Sequence, residues 1–187
     1  YHGKAAKYVC ACGRDFGEWT EPEDCAPGKA SLMFPHPEES TAYVSYDAEI
    51  MAEMAEYLGK EELKKTYERI HRLTNIAYVD NFLSEDQLNT NRMAKLVRPV
   101  ALGLVKGKKK EELLQKCVEL NRKRDYKVGT GFLSTPFVLH CLTEAGAVDD
   151  AYKMLVNTEL GWMKQVKEGA TTVWENWTND ASLNHYS

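Results

Sequence analysis

Residues 41–77 read TAYVSYDAEIMAEMAEYLGKEELKKTYERIHRLTNIA, and this stretch decides the fold class. Tyr43, Tyr46, Ile50, Met54 and Leu58 recur at the spacing of one helix face. Gly59 then stops the helix, as a glycine after the last turn does. A second helix starts near Lys60 and repeats the pattern with Leu63, Tyr67, Ile70, Thr74 and Ala77. Its opposite face carries Lys64, Lys65, Glu68, Arg69 and Arg72, a solvated charge run. Two amphipathic helices joined by so short a connection pack as an antiparallel hairpin.

The same rhythm continues towards the C-terminus. Residues 91–105 carry Met93, Leu96, Val97, Val100 and Leu104, with Pro99 expected to kink or break the helix. A fourth helix follows Gly107 and uses Leu113, Leu114, Cys117, Val118 and Leu120. Ser134-Thr135-Pro136 reads as a hydroxyl cap followed by proline in the first turn, opening a fifth helix that ends at Ala145-Gly146. Asp149 and Asp150 suit the first turn of a sixth, whose stripe is Ala151, Tyr152, Leu155 and Val156. Strand patterns are hard to find, so the expected class is all-α. Residues 13–40 and 159–187 differ: the first is rich in glycine, proline and acids, and the second holds three of the four tryptophans. Long structured loops on a helical scaffold are where function usually sits.

Composition narrows the classes. At 187 residues the chain suggests one domain, and 43% hydrophobic residues suffice for a core. A net charge of −4 argues against a nucleic-acid surface. No run approaches the ~18 apolar residues of a membrane span. Cys10, Cys12, Cys25, Cys117 and Cys141 form no disulfide framework, which suits a reducing, cytoplasmic compartment. Cys10-Ala11-Cys12 has one spacer, too few for a zinc knuckle, so no metal site and no cofactor is expected. Cys117 and Cys141 fall on apolar stripes and read as core. The opening Tyr1-His2-Gly3-Lys4 suggests a piece of a longer chain.

Glu175 stands between Trp174 and Trp177. A carboxylate within an aromatic wall is suited to general acid or base work, and flat indole faces stack on the C–H faces of sugars. The alternative is that both tryptophans are core anchors and Glu175 forms an ion pair. The spacing alone leaves both open.

Gly129-Thr130-Gly131-Phe132-Leu133-Ser134-Thr135-Pro136, Leu142-Thr143-Glu144-Ala145-Gly146 and Ala151-Tyr152 form an ordered series of blocks. The series continues with Gly161-Trp162, Gly169-Ala170-Thr171-Thr172-Val173-Trp174-Glu175 and Ser182-Leu183-Asn184-His185-Tyr186. Together they resemble the bacterial α-L-rhamnosidases of glycoside hydrolase family 78. Phe16-Gly17-Glu18-Trp19 resembles that family's Phe-Gly-Asp-Trp block, with Glu18 in place of the aspartate. The resemblance runs from about residue 13 to the end.

It implies part of a six-hairpin α/α barrel, about half of the ring. Residues 1–187 would form the C-terminal part of the catalytic domain, truncated at both ends. It further implies inverting hydrolysis of terminal α-L-rhamnose, with Glu175 as general base. Trp19, His185, Trp177 and Glu18 would belong to the sugar pocket. The family's general acid lies in a block that nothing here matches, so the isolated chain is expected to be nearly inactive. Asp15, Glu21, Glu23 and Asp24 are the available carboxylates, and all four read as surface loop residues. The expected partner is a rhamnose-containing glycoside, with contact to a second copy or to the rest of the barrel. A non-catalytic sugar-binding descendant and a helical interaction module are the competing functions.

Overall fold

The computed structural model describes residues 1–22, 24–25 and 35–178. Its elements are a 3-10 turn at Ala6–Tyr8 and eight α-helices among the described residues. These are α1 (Pro37–Tyr57), α2 (Glu61–Phe82), α3 (Glu85–Leu88), α4 (Met93–Ala101), α5 (Gly107–Lys123), α6 (Thr135–Glu144), α7 (Val148–Leu155) and α8 (Trp162–Lys167). There is no strand element among the described residues. The all-α expectation holds. Two compact units divide them.

The first unit takes residues 1–17, 35–89 and 102–105 of those described. Its frame is the α1–α2 hairpin. Gly59, at φ +64°, lets Lys60 N–H reach the Ala55 carbonyl at 2.8 Å and Gly59 N–H reach that of Glu56 at 3.0 Å. This paired closure satisfies the last carbonyls of α1 and needs a left-handed residue. The helix period is as read, but the buried face of α1 is not. Ala42, Ser45, Ala48, Ala52 and Ala55 are buried, whereas Ile50, Met54 and Leu58 are exposed. Small side chains let two helix backbones approach closely, so the hairpin seam takes the alanines and turns the large residues outward. Leu63 of α2 is likewise exposed, while Thr74, Ala77 and Tyr78 are buried.

In the same unit, Asp15 accepts from His36 N–H (3.0 Å), His36 Nδ1 (2.6 Å), Ser40 Oγ (2.9 Å) and Gly17 N–H (2.8 Å). Burial acts to raise the Asp15 carboxyl, but these hydrogen bonds outweigh it and hold the group below the usual range. Serine and histidine both address the aspartate rather than each other. The cluster ties a loop to the start of α1 and is not a nucleophilic triad.

The second unit takes residues 18–22, 24–25, 90–101 and 106–178 of those described. Here α4 packs on α5 and α6, and α6 packs on α7. The stripe of α5 is buried as read, from Leu113 to Leu120. Helix α4 runs through Pro99 and stops at Ala101, so the proline does not break it. On α7 the core residues are Ala151 and Met154, and Tyr152 and Val156 are exposed, contrary to the stripe expected there. Cys117 and Cys141 are core residues. Burial pushes the Cys25 and Cys141 thiols up to about 12 and raises Cys117 as well, so all three stay protonated at neutral pH.

Candidate active site

The site is built within the second unit, on the loop Glu18–Pro22, the turn Gly129–Ser134 before α6, and the segment after α8. Glu18 is the anchor of the loop. Its side chain is 1% exposed and pairs with Arg98 Nη2 of α4 at 2.7 Å, itself 1% exposed. Oε1 accepts from Gly131 N–H (3.1 Å) and Ser134 N–H (2.8 Å), and Oε2 also accepts from Ser134 Oγ (2.8 Å). Four donors on one buried carboxylate compensate its desolvation. Ser134 is the N-cap residue of α6, yet its side chain makes no cap hydrogen bond. Its hydroxyl is given to Glu18 instead, which corrects the cap reading of this block.

Phe132 N–H then bonds the Trp19 carbonyl at 2.7 Å. A Cβ at Gly131 would lie 2.4 Å from the Trp19 carbonyl oxygen and 2.7 Å from that of Glu18. Only glycine allows this approach of two backbones.

The segment carrying Glu175 is held by Gln165 of α8, which is 2% exposed. Gln165 Nε2 donates to the Asn176 carbonyl at 3.0 Å, and its Oε1 accepts from Trp174 N–H at 3.2 Å. Gly169, at φ +89°, closes α8 with Ala170 N–H on the Gln165 carbonyl at 2.9 Å. Trp174 and Trp177 are 5% and 7% exposed. Trp177 Nε1–H donates to the Thr130 carbonyl at 2.9 Å, and its ring meets Trp162 edge-on at 5.2 Å.

These two supports meet at Glu175. Trp19 Nε1–H donates to Glu175 Oε1 at 2.8 Å, across 156 residues of sequence. Thr20 Oγ1 donates to the Glu175 carbonyl at 3.1 Å. Thr20 has φ +60°, a left-handed conformation rare for a β-branched residue, and its hydroxyl also reaches the Trp19 carbonyl at 2.7 Å. Glu175 borders a concavity of about 310 Å³ whose walls include Thr20, Pro136, His140, Trp162 and both Trp174 and Trp177. The neighbouring Glu21 pairs with Arg92 Nε at 3.0 Å. Burial nevertheless pushes the Glu21 carboxyl up to about 7, against the pull of Arg92 and with the nearby Glu18 adding to the rise. Asp24 instead lies below the usual range because Arg124 bonds it at 2.7 Å.

Trp19 and Glu175, remote in sequence, are therefore brought together. Neither Glu18 nor Trp19 is among the residues that line the concavity, and Glu18, at 4% exposed, has no surface for a sugar. Trp177 lines the wall through its ring while its N–H is bound inward. His185 and its Ser182–Tyr186 block, and Glu23, lie outside the described residues. Glu21 is not a surface residue as expected; its side chain is 3% exposed. Sequence reasoning missed Arg98, Ser134 as a ligand of Glu18, and Gln165. No sequence signal marks them, since each works through a contact distant along the chain. Among the described residues no three His, Cys, Asp or Glu side chains cluster to hold a metal ion. No described helix is long and apolar enough to cross a membrane.

The chain as a whole is similar to known proteins. An alpha-L-rhamnosidase of Formosa agariphila is 29% identical over 201 aligned residues, covering the whole of this chain and 22% of its own length. One from Streptomyces avermitilis is 30% identical over 165 residues, covering 87% of this chain and 15% of its own. The crystal structure of the Streptomyces avermitilis alpha-L-rhamnosidase complexed with L-rhamnose superposes with a TM-score of 0.77 at 26% identity, over 96% of this chain and 16% of that one. The Dictyoglomus alpha-L-rhamnosidase gives 0.78 at 25% identity, over 96% of this chain and 20% of that one. The chain thus spans about a fifth of the length of such relatives. The family described as the bacterial alpha-L-rhamnosidase 6 hairpin glycosidase domain matches residues 8–187. Helix pairs throughout, a rhamnosidase likeness over the whole chain and that match lead to one assignment: the chain belongs to the bacterial α-L-rhamnosidase six-hairpin glycosidase family.

Proposed function

We propose that these residues are part of the catalytic barrel of a longer, inverting glycoside hydrolase that removes terminal α-L-rhamnose, with Glu175 as general base. The observation that carries this reading is the Trp19–Glu175 hydrogen bond at the edge of a concavity. A general base must be held in one rotamer, and the indole N–H on Oε1 sets the direction of the carboxylate. Glu175 takes a proton from water, and the water oxygen attacks the anomeric carbon as the C–O bond to the aglycone breaks. A second carboxylic acid, about 6.5–9.5 Å away in such enzymes, protonates the leaving oxygen. We assign that acid to a part of the longer protein outside these residues. Trp19, Trp177 and His185 are proposed to contact the sugar. The exposed Ile50, Met54, Tyr57 and Leu58 of the first unit support the view that further chain covers this piece.

Stereochemistry tests the reading. Proton NMR of the longer protein turning over an aryl α-L-rhamnoside should show β-L-rhamnose first, with the α-anomer appearing only by mutarotation. Initial α-L-rhamnose would overturn the assignment of an inverting base. These 187 residues alone should be nearly inactive, with any residual turnover confined to rhamnosides with good leaving groups.

A further inference from the structure

Glu18 accepts four hydrogen bonds in the buried part of the second unit, and the mechanism above does not use it. We infer that Glu18 is a positioning residue that sets the general base through Trp19, rather than a residue that touches the sugar; this rests on the assignment of Glu175 given above.

The geometry supplies each link. The Glu18 carboxylate is buried and holds Arg98, Ser134 and the Gly131 N–H at 2.7–3.1 Å. It has no surface to offer a ligand. What it fixes is the backbone of its own loop against the turn before α6. The next residue is thereby placed: the Trp19 carbonyl sits on Phe132 N–H, and the Trp19 indole N–H reaches Glu175. The residue after that, Thr20, holds the backbone of Glu175. Three consecutive residues thus connect the Arg98–Ser134 pocket to both the side chain and the main chain of the base. A carboxylate is suited to this task because all four acceptor directions are filled, two on each oxygen. An amide at the same place has one acceptor atom and one donor group. The donor would face two of the four N–H or O–H groups, and the loop would shift to relieve the clash.

Indole N–H resonances of the ¹⁵N-labelled 187-residue chain read the Trp19 bond without any need for hydrolysis. Glu175→Gln, which weakens the acceptor, assigns the Trp19 signal by shifting it. Glu18→Gln should shift the same signal and leave those of Trp162, Trp174 and Trp177 nearly in place. In the longer enzyme, Glu18→Gln should lower kcat/KM by about tenfold or more, since small misplacements of catalytic groups cost that much. In a Trp19→Phe background the same change should cost less than about twofold, because coupled residues are non-additive. A residue that contacts sugar directly would give multiplicative losses instead. An unmoved Trp19 signal in a folded Glu18→Gln chain, or independent losses, overturns the inference. Should Glu18→Gln not fold, Ser134→Ala removes the hydroxyl donor alone. It should shift the Trp19 signal by a smaller amount, and no shift there overturns the inference equally. An inactive longer protein with the Trp19 shift intact would instead remove the glycosidase assignment and leave the positioning in place.

Discussion

Replacing Gly131 with alanine places a methyl group where the structure has two backbones in contact. The added carbon would lie 2.4 Å from the Trp19 carbonyl oxygen, 2.7 Å from that of Glu18 and 2.8 Å from the Glu21 nitrogen. All three are main-chain atoms, so no side chain can swing aside. Ordinary contact begins at 3.4 Å, which requires the 18–21 loop to retreat by about 1 Å. A shift of that size breaks both the 2.7 Å bond from Phe132 to the Trp19 carbonyl and the 2.8 Å bond from Trp19 to Glu175. Two hydrogen bonds at about 1 kcal/mol each, plus about 1–3 kcal/mol for overpacking, predict a loss of roughly 3–5 kcal/mol. For a chain of this size, that lowers Tm by about 6–20 °C. Calorimetry of the chain, with Gly129→Ala alongside, measures it. At Gly129 the nearest atom is the movable Arg124 Nε at 2.8 Å, so that variant should lose less. A Gly131→Ala loss below about 0.5 kcal/mol, the range of ordinary surface changes, would refute the claim that this approach shapes the site.

Other outcomes follow from the same contacts. Glu21 is raised from 4.5 to about 7 on folding, so its contribution is full below the unfolded value and is lost as pH rises through about 7. Glu21→Gln should therefore flatten the decline in stability between pH 5 and 8, a difference on the order of 3 kcal/mol in urea titrations; an unchanged pH profile would count against its burial. Gln165→Leu strips partners from Trp174 N–H and the Asn176 carbonyl. It should destabilise by about 2–5 kcal/mol in chemical unfolding, and a neutral result would show that the Glu175 segment is held some other way. Trp177→Phe leaves the Thr130 carbonyl without its indole donor and should lose about 1–3 kcal/mol, with the Trp162 contact retained in near-ultraviolet circular dichroism.

The helices were legible because a 3.6-residue period survives any choice of face. The face itself was not, since the reading followed large apolar residues and the α1 seam is made of alanine and serine. The short α3 carries a readable signal, a Ser84–Gln87 capping box, that a search for long stripes passes over. At the site, Trp19 and Glu175 were found through ordered blocks that resemble a family, and no local spacing links them. Glu18 shows what such blocks do not convey. The same block reads equally well with its carboxylate turned towards a ligand or into the fold, and only Arg98 and Ser134 decide which. Gln165 left no trace in sequence because its role depends on two main-chain groups of a later segment.

If Glu175 acts as a base on water, Glu175→Gln in the longer enzyme removes that base and keeps the shape of the side chain. The variant should lose about 10²–10⁴-fold in kcat on an aryl α-L-rhamnoside, while L-rhamnose binding by calorimetry is kept. Azide, a nucleophile that needs no base, should restore turnover and yield β-L-rhamnosyl azide. Activity within about tenfold of the parent, or a loss that azide does not rescue, would show that Glu175 is not the base.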